Sequence, residues 1–190
     1  GMVTSTGVVQ QTCPEQADGM IECNWNSPYT LTITSSWVSG VYLALLTAST
    51  GKQSYVMFVV RDDARPSPVL FQSTTSTYQA YNDWGGKSLY VPTAGPAHRV
   101  SFNRPYAAYY GTAEFFYFEI NALRWLEREG YDVTYTTSVD LDGSLSGITS
   151  HKIVLTVGHD EYWSWNTRAN LEAARNAGTS VAVLSGNTAF

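Results

Sequence analysis

The sequence predicts an α/β fold: a mainly parallel sheet with helices on both faces, preceded by a short segment that is β-rich or irregular. Three observations predict it. The apolar runs Tyr55 to Val60 and Lys152 to Val157 have strand length and are continuous enough to be buried on both faces, as strands covered by helices are. From Glu114 onward helix and strand patterns alternate, and that order implies right-handed β-α-β crossovers. A chain of 190 residues, 44% hydrophobic and 14% charged, is large enough to bury one such core.

The elements follow in order. Residues 1–36 carry few helix signals, and Tyr29 to Thr34 alternates polar and apolar like a half-buried strand. Residues 37–190 form the α/β domain. It opens with strands at Val41 to Thr47 and Tyr55 to Val60 around a turn at Gly51, and a short strand follows at Val69 to Gln72. The polar and aromatic stretch from Ser73 to Pro105 is too long for a connector and is a candidate functional loop. Glu114 to Glu129 reads as one helix, with Phe115, Phe118, Ala122, Trp125 and Leu126 on one stripe and Gly130 as its stop. A strand at Tyr131 to Thr136, a short helical turn after Asp140 to Gly143, and the strand Lys152 to Val157 come next. A helix from Asn166 to Asn176, closed by Gly178, and a strand from Ser180 to Leu184 complete the pattern.

Composition excludes several function classes. The net charge of −5, from 16 acidic and 11 basic residues without a basic cluster, gives no footprint for nucleic acid. The longest apolar runs fall far short of the ~20 residues that span a bilayer, so no membrane partner is expected. Gly1-Met2 reads like a tag-cleavage scar and leaves export open. Cys13 and Cys23 fit either two free thiols, as in the cytoplasm, or a disulfide closing a short loop in an oxidising compartment. With 13 Tyr and 6 Trp, the chain has more aromatic residues than a core of this size needs, and some of them must line surfaces or pockets. Neither a phosphate-binding glycine loop nor a Gly-x-Ser-x-Gly elbow occurs, which argues against nucleotide binding and a serine hydrolase.

In open parallel sheets, ligands bind beyond the carboxyl ends of the strands. Three clusters fall there: Gly158-His159-Asp160-Glu161-Tyr162, Ser185-Gly186-Asn187-Thr188, and the aromatic run Tyr78 to Gly86. His159, Asp160 and Glu161 put an imidazole and two carboxylates on one rim, the material for a hard-metal site or for acid/base chemistry. Asp160 is better read as a cap for the helix starting near Ser164. His98 and His151 read as exposed histidines, and Asp62 and Asp63 as ion-pair partners of Arg61, Arg65 or Arg104.

Six motifs then occur in one order: Trp37 to Tyr42, Phe58 to Asp63, Tyr81-Asn82-Asp83-Trp84-Gly85-Gly86-Lys87-Ser88-Leu89-Tyr90, Val100 to Pro105, Trp125 to Val133, and Gly158 to Trp163. Together they resemble the C-terminal domain of the large (beta) subunit of N,N-dimethylformamidase. That resemblance implies a three-layer fold similar to class I glutamine amidotransferases and a mononuclear ferric iron held by two tyrosines and a glutamate. Carried onto this sequence, the metal ligands are Tyr42, Tyr81 and Glu161, with His159 and Asn187 beside the metal. Phenolate and carboxylate are hard anionic donors that suit such an ion, which would polarise an amide carbonyl and activate water. His159 and Glu161 would then act in catalysis, His159 by moving protons, while Asn187 orients substrate or stabilises an oxyanion. The family domain continues past the position of Phe190, so the resemblance also implies a domain incomplete at its C-terminus, as in a fragment, a natural truncation or a divergent paralogue, and one that a partner chain or a second copy could complete.

Two functions follow from these residues. One is a metal-dependent hydrolase whose partner is a small-molecule amide. The other is a non-catalytic module that binds a carbohydrate or small ligand through the aromatic loop Tyr78 to Tyr90.

Overall fold

The computed structural model describes residues 2–26, 29–90, 95–143 and 147–190. Strands β1 (Gly40–Thr47) and β2 (Gln53–Val60) form an antiparallel hairpin that is a sheet of its own. The parallel sheet is built from β3 (Val69–Ser73), β4 (Val133–Thr137), β5 (Ile153–His159) and β6 (Ser180–Gly186), in the order β4-β3-β5-β6. Its helices are α1 (Thr75–Tyr81), α2 (Phe115–Phe118), α3 (Ile120–Arg128), α4 (Ser138–Gly143) and α5 (Trp165–Asn176). The expected three-layer α/β architecture is present.

Alternation along the central strands sends side chains into two cores. Val69 and Phe71 of β3, Val133 and Tyr135 of β4, and Leu155 and Val157 of β5 pack with Phe115, Leu123 and Leu126 of α2 and α3. Leu70 and Val154 point the other way, onto Leu141 of α4, Ile148, and Leu171 and Ala174 of α5. Both faces of β3 are therefore covered, and every residue of that strand is buried.

Several sequence expectations change for identifiable reasons. The Tyr55 to Val60 run was expected to be covered on both faces, but only one face of the hairpin meets the core. Val41, Leu43, Met57 and Val59 pack on it, while Leu45, Leu46 and Val56 are exposed. Tyr29 to Thr34 forms no strand: it has no pairing partner among the described residues, and all six of its residues are exposed. The Ser73 to Pro105 stretch is not all loop, since its first third is α1. The single helix expected over Glu114 to Glu129 is two, because Glu119 at their junction turns fully inside. Trp125, expected in the core, is half exposed, and Leu123 takes the buried position. His151 is buried and not exposed: its Nδ1 donates to the Ser67 carbonyl at 2.7 Å. Cys13 and Cys23 form a disulfide.

Glu119 ties α2 and α3 to the mouth of the sheet. Its Oε1 accepts from the Thr74 backbone N–H (2.8 Å) and from Thr74 Oγ1 (3.0 Å), just past the end of β3. Burial pushes its carboxyl up to about 7. The folded state thus holds this proton more tightly than the unfolded chain does, so ionising Glu119 costs stability as pH rises from about 4.5 toward 7 and beyond. The displacement corresponds to roughly 3 kcal/mol from this one group. Denaturant titrations should therefore show the Glu119→Gln variant losing less stability than the parent between pH 5 and 8, by about 2–3 kcal/mol. An unchanged pH slope would reject this account of Glu119.

Candidate active site

The chain leaves β3 for β4 on one side and returns to β5 on the other, so the connections diverge at the carboxyl ends of β3 and β5. In open α/β sheets that crevice is where ligands bind. Two local devices fill it with side chains. After β3, α1 carries Thr77 and Tyr81 into the opening. At the end of β5, Gly158 takes φ +91, a conformation that favours glycine, and the chain turns to present His159 and Glu161. Thr77 Oγ1 accepts the backbone N–H groups of Glu161 (3.0 Å) and Tyr162 (3.1 Å), fixing the loop on α1.

Glu161 is the centre of the cluster and is only 6% exposed. Its Oε2 accepts from the Tyr81 hydroxyl at 2.6 Å and its Oε1 from the Tyr90 hydroxyl at 2.9 Å. His159 Nε2 stands 3.1 Å from Oε2. Tyr81 and Tyr90 stack with centroids 4.3 Å apart, and Tyr90 shares a 2.5 Å hydrogen bond with Tyr162. Asn187, at φ +51 just after β6, brings its side-chain amide to 3.5 Å from His159 Nε2. Glu114 lies 3.6 Å from the other ring nitrogen, Nδ1. Four of the five sequence-predicted residues, Tyr81, His159, Glu161 and Asn187, thus converge.

Tyr42 does not join them. Its hydroxyl donates to the Val38 carbonyl at 2.9 Å, and its ring packs between Trp37 and Phe58 in the hairpin. The second phenol meeting Glu161 is that of Tyr90. The sequence places Tyr90 at the end of the aromatic loop without marking it as a donor to Glu161; eight residues of loop and turn separate it from Tyr81, and no periodicity joins the two. Asp160 is not a helix cap either. Ser164 caps α5 by accepting from the Thr167 N–H, whereas Asp160 is fully buried, its Oδ2 accepting from Gln72 Nε2 (2.9 Å) and Thr156 Oγ1 (2.8 Å). It braces β3 against β5 beneath the site.

The phenols resist ionisation in this setting. Tyr81 is raised by desolvation and by its bond to the Glu161 carboxylate. Tyr90 is pushed up to about 12, with partial desolvation first and the neighbouring carboxylate adding to it. A cation placed among these oxygens would reverse the sign of that effect. Among the described residues no group of three or more His, Cys, Asp or Glu side chains is arranged to hold a metal. The donor set at this crevice is instead one carboxylate, two phenols and an adjacent imidazole. Elsewhere, a cavity of about 150 Å³ opens beside Arg61, Asp63, Asp140 and His151, and none of the sequence-predicted site residues lines it.

The loop carrying Tyr90 is held from two sides. Arg104, buried, donates to the carbonyls of Asn82 (2.8 Å), Trp84 (3.0 Å) and Lys87 (2.7 Å). The N-terminal strip closed by the Cys13–Cys23 disulfide lies against the same loop. Cys23 N–H donates to Asn103 O (2.8 Å), His98 N–H to Asp18 O (2.8 Å), and Glu15 pairs with Lys87 at 3.2 Å.

Fold and site together define a three-layer α/β protein with a carboxylate, phenol and imidazole cluster at the switch point of its parallel sheet. Among known families, the N,N-dimethylformamidase beta subunit-like, C-terminal family matches residues 2–190. The chain belongs to that family. No curated protein matches it.

Proposed function

We propose that this protein hydrolyses small amides at a metal ion held by Glu161 and Tyr81, in a reaction related to that of N,N-dimethylformamidase. One observation carries the reading: a nearly buried carboxylate receives two phenol hydroxyls on its two oxygens while an imidazole stands 3.1 Å away. The donors fit a hard, highly charged cation such as iron(III), because all three oxygens can be anionic and such an ion favours phenolate over phenol. Tyr42 faces away, so Tyr90 is the better placed third donor. Family membership supports the reaction class.

When bound, the ion supplies Lewis-acid polarisation of the amide carbonyl and makes water acidic enough to attack near neutral pH. The chain's own residues do the rest. His159 Nε2 takes the proton released by the attacking water and returns it to the leaving amine nitrogen. Asn187, beside Nε2, donates its amide N–H to the oxygen that gains charge. The Tyr81, Tyr90 and Tyr162 rings wall the crevice and limit the water around it.

Metal analysis of purified protein tests the proposal. Bound iron, with the visible absorption of a tyrosinate-to-iron charge transfer, and release of amine from a small formamide are the expected results. Tyr81→Phe should lose that absorption and most of the metal while keeping its thermal stability. A colourless, metal-free protein that binds a saccharide would instead favour the binding-module reading.

A further inference from the structure

Tyr90 reaches Glu161 from a loop that the N-terminal strip holds from outside, and the strip keeps its shape through one covalent bond. The described residues 2–26 form no helix and add no strand to either sheet. Their compact part is the ring closed by Cys13–Cys23, ten residues apart in sequence. Inside the ring a bridge pairs Glu15 with Ile21, and Gln16 N–H donates to Met20 O at 2.8 Å. A ring with so few bonds of its own depends on having its ends joined. For a loop of about ten residues, that closure favours the ordered form by roughly 100-fold.

The ring passes its order to Tyr90 through Ala97. Gly19, at the tip of the ring, lies so close that an added Cβ would stand 2.9 Å from Ala97 Cα. The next residue, His98, donates its N–H to Asp18 O at 2.8 Å. Ala97 N–H donates in turn to Ser88 O (2.7 Å), and Ser88 Oγ accepts the Tyr90 N–H (3.0 Å). Tyr90 then donates to Glu161 at 2.9 Å. On the body side the same loop is held by Arg104, through Lys87 O, and by Leu89 N–H donating to Ala80 O at 3.0 Å. Losing the ring therefore frees the Tyr90 end of the loop and leaves its base in place. Cys23 is buried, at 1% exposure, whereas Cys13 is partly exposed between exposed Thr12 and Pro14. A reductant meets the Cys13 sulfur first.

We propose that the Cys13–Cys23 disulfide is a redox-sensitive tether, whose reduction by a dithiol releases the strip and loosens Tyr90 from Glu161. A thiolate of the dithiol attacks Cys13 Sγ, the S–S bond breaks, and Cys23 leaves as a thiolate. The second thiol of the reductant then displaces Cys13. Two electrons and two protons end on the two cysteines, and the dithiol becomes a disulfide. Both sheets stay folded, because neither core contains a residue before Val41. The effect on turnover rests on the amidase activity proposed above; the release of the loop does not.

The experiment follows hydrogen exchange by mass spectrometry on the full chain before and after dithiothreitol, with intact mass confirming reduction. Peptides covering Tyr90 and Ala97-His98 should exchange at least about 10-fold faster in the reduced protein, and those of β3 and β5 at the parent rate. Dithiothreitol also reacts with metal ions, so turnover is read without it, in the Cys13→Ser/Cys23→Ser double variant. That variant should exchange like the reduced parent and lose about 10-fold in kcat/KM on a small formamide. Should the variant fail to fold, the reduced parent still decides the matter. The proposal is overturned if the disulfide yields to dithiothreitol only in denaturant, or if exchange around Tyr90 is unchanged in the reduced chain. Faster exchange throughout both sheets overturns it too, since the bond would then staple the whole fold. If the loop is released but the oxidised parent hydrolyses no amide, the function assigned to the site falls and the tether stands.

Discussion

Glu161→Gln should be the most damaging single change to function, abolishing both metal retention and amide hydrolysis while leaving the fold intact. The carboxylate receives two phenol O–H groups, and Gln keeps the shape of the side chain but replaces one oxygen by an N–H₂ that cannot accept from Tyr81 or Tyr90. It also removes the negative charge around which the oxygen donors gather. Even groups outside a coordination set typically cost 10–100-fold in metal affinity, so loss of a direct ligand should exceed about 100-fold. Metal content after gel filtration and turnover of a small formamide measure it. Full metal occupancy in the variant would refute the assignment of Glu161, and an unchanged melting temperature would show that the loss is not one of folding.

The second large effect is structural. A Cβ added to Gly158 would sit 2.3 Å from Phe118 Cβ and 2.9 Å from Phe118 Cγ, at a φ of +91. Either the helix α2 retreats or the end of β5 untwists. Overpacking and backbone strain each cost about 1–3 kcal/mol, so Gly158→Ala should lose about 2–6 kcal/mol. For a domain of this size, that lowers the melting temperature by roughly 10 °C. Activity should fall further than stability, because His159 and Glu161 hang directly from the distorted bend. A variant as stable and active as the parent would mean that the close packing of Phe118 on Gly158 is not required.

How far the sequence could be read depended on whether the signal was local. β3 and β5 were legible because a strand covered on both faces leaves a continuous apolar run. Gly158 and the acidic and imidazole groups after it were legible because a glycine at such a strand end marks a turn into the crevice. Glu119 defeated the helix pattern: a carboxylate drawn inside to bind Thr74 breaks α2 from α3, and nothing in the 3.6-residue period announces it. Tyr90 and Glu114 do not stand out in the sequence as neighbours of Glu161 and His159, because each reaches the site through an irregular loop, where no repeat links a residue to its neighbours in space. Tyr42 was carried over from a motif. Its partners are the carbonyl and rings of its own hairpin, contacts that a motif match does not report.

The latch between the N-terminal strip and the Tyr90 loop has a practical meaning for where the working unit starts. Ile21 is wedged over Gly85, where even one methyl group would approach its Cδ1 to 2.7 Å, so the strip and the loop share a packed seam. A shortened protein beginning at Trp37 would keep every strand and helix yet lose the clasp that holds one of the two phenols over Glu161. Trimming for convenience would therefore loosen the crevice from outside, without touching any residue in it.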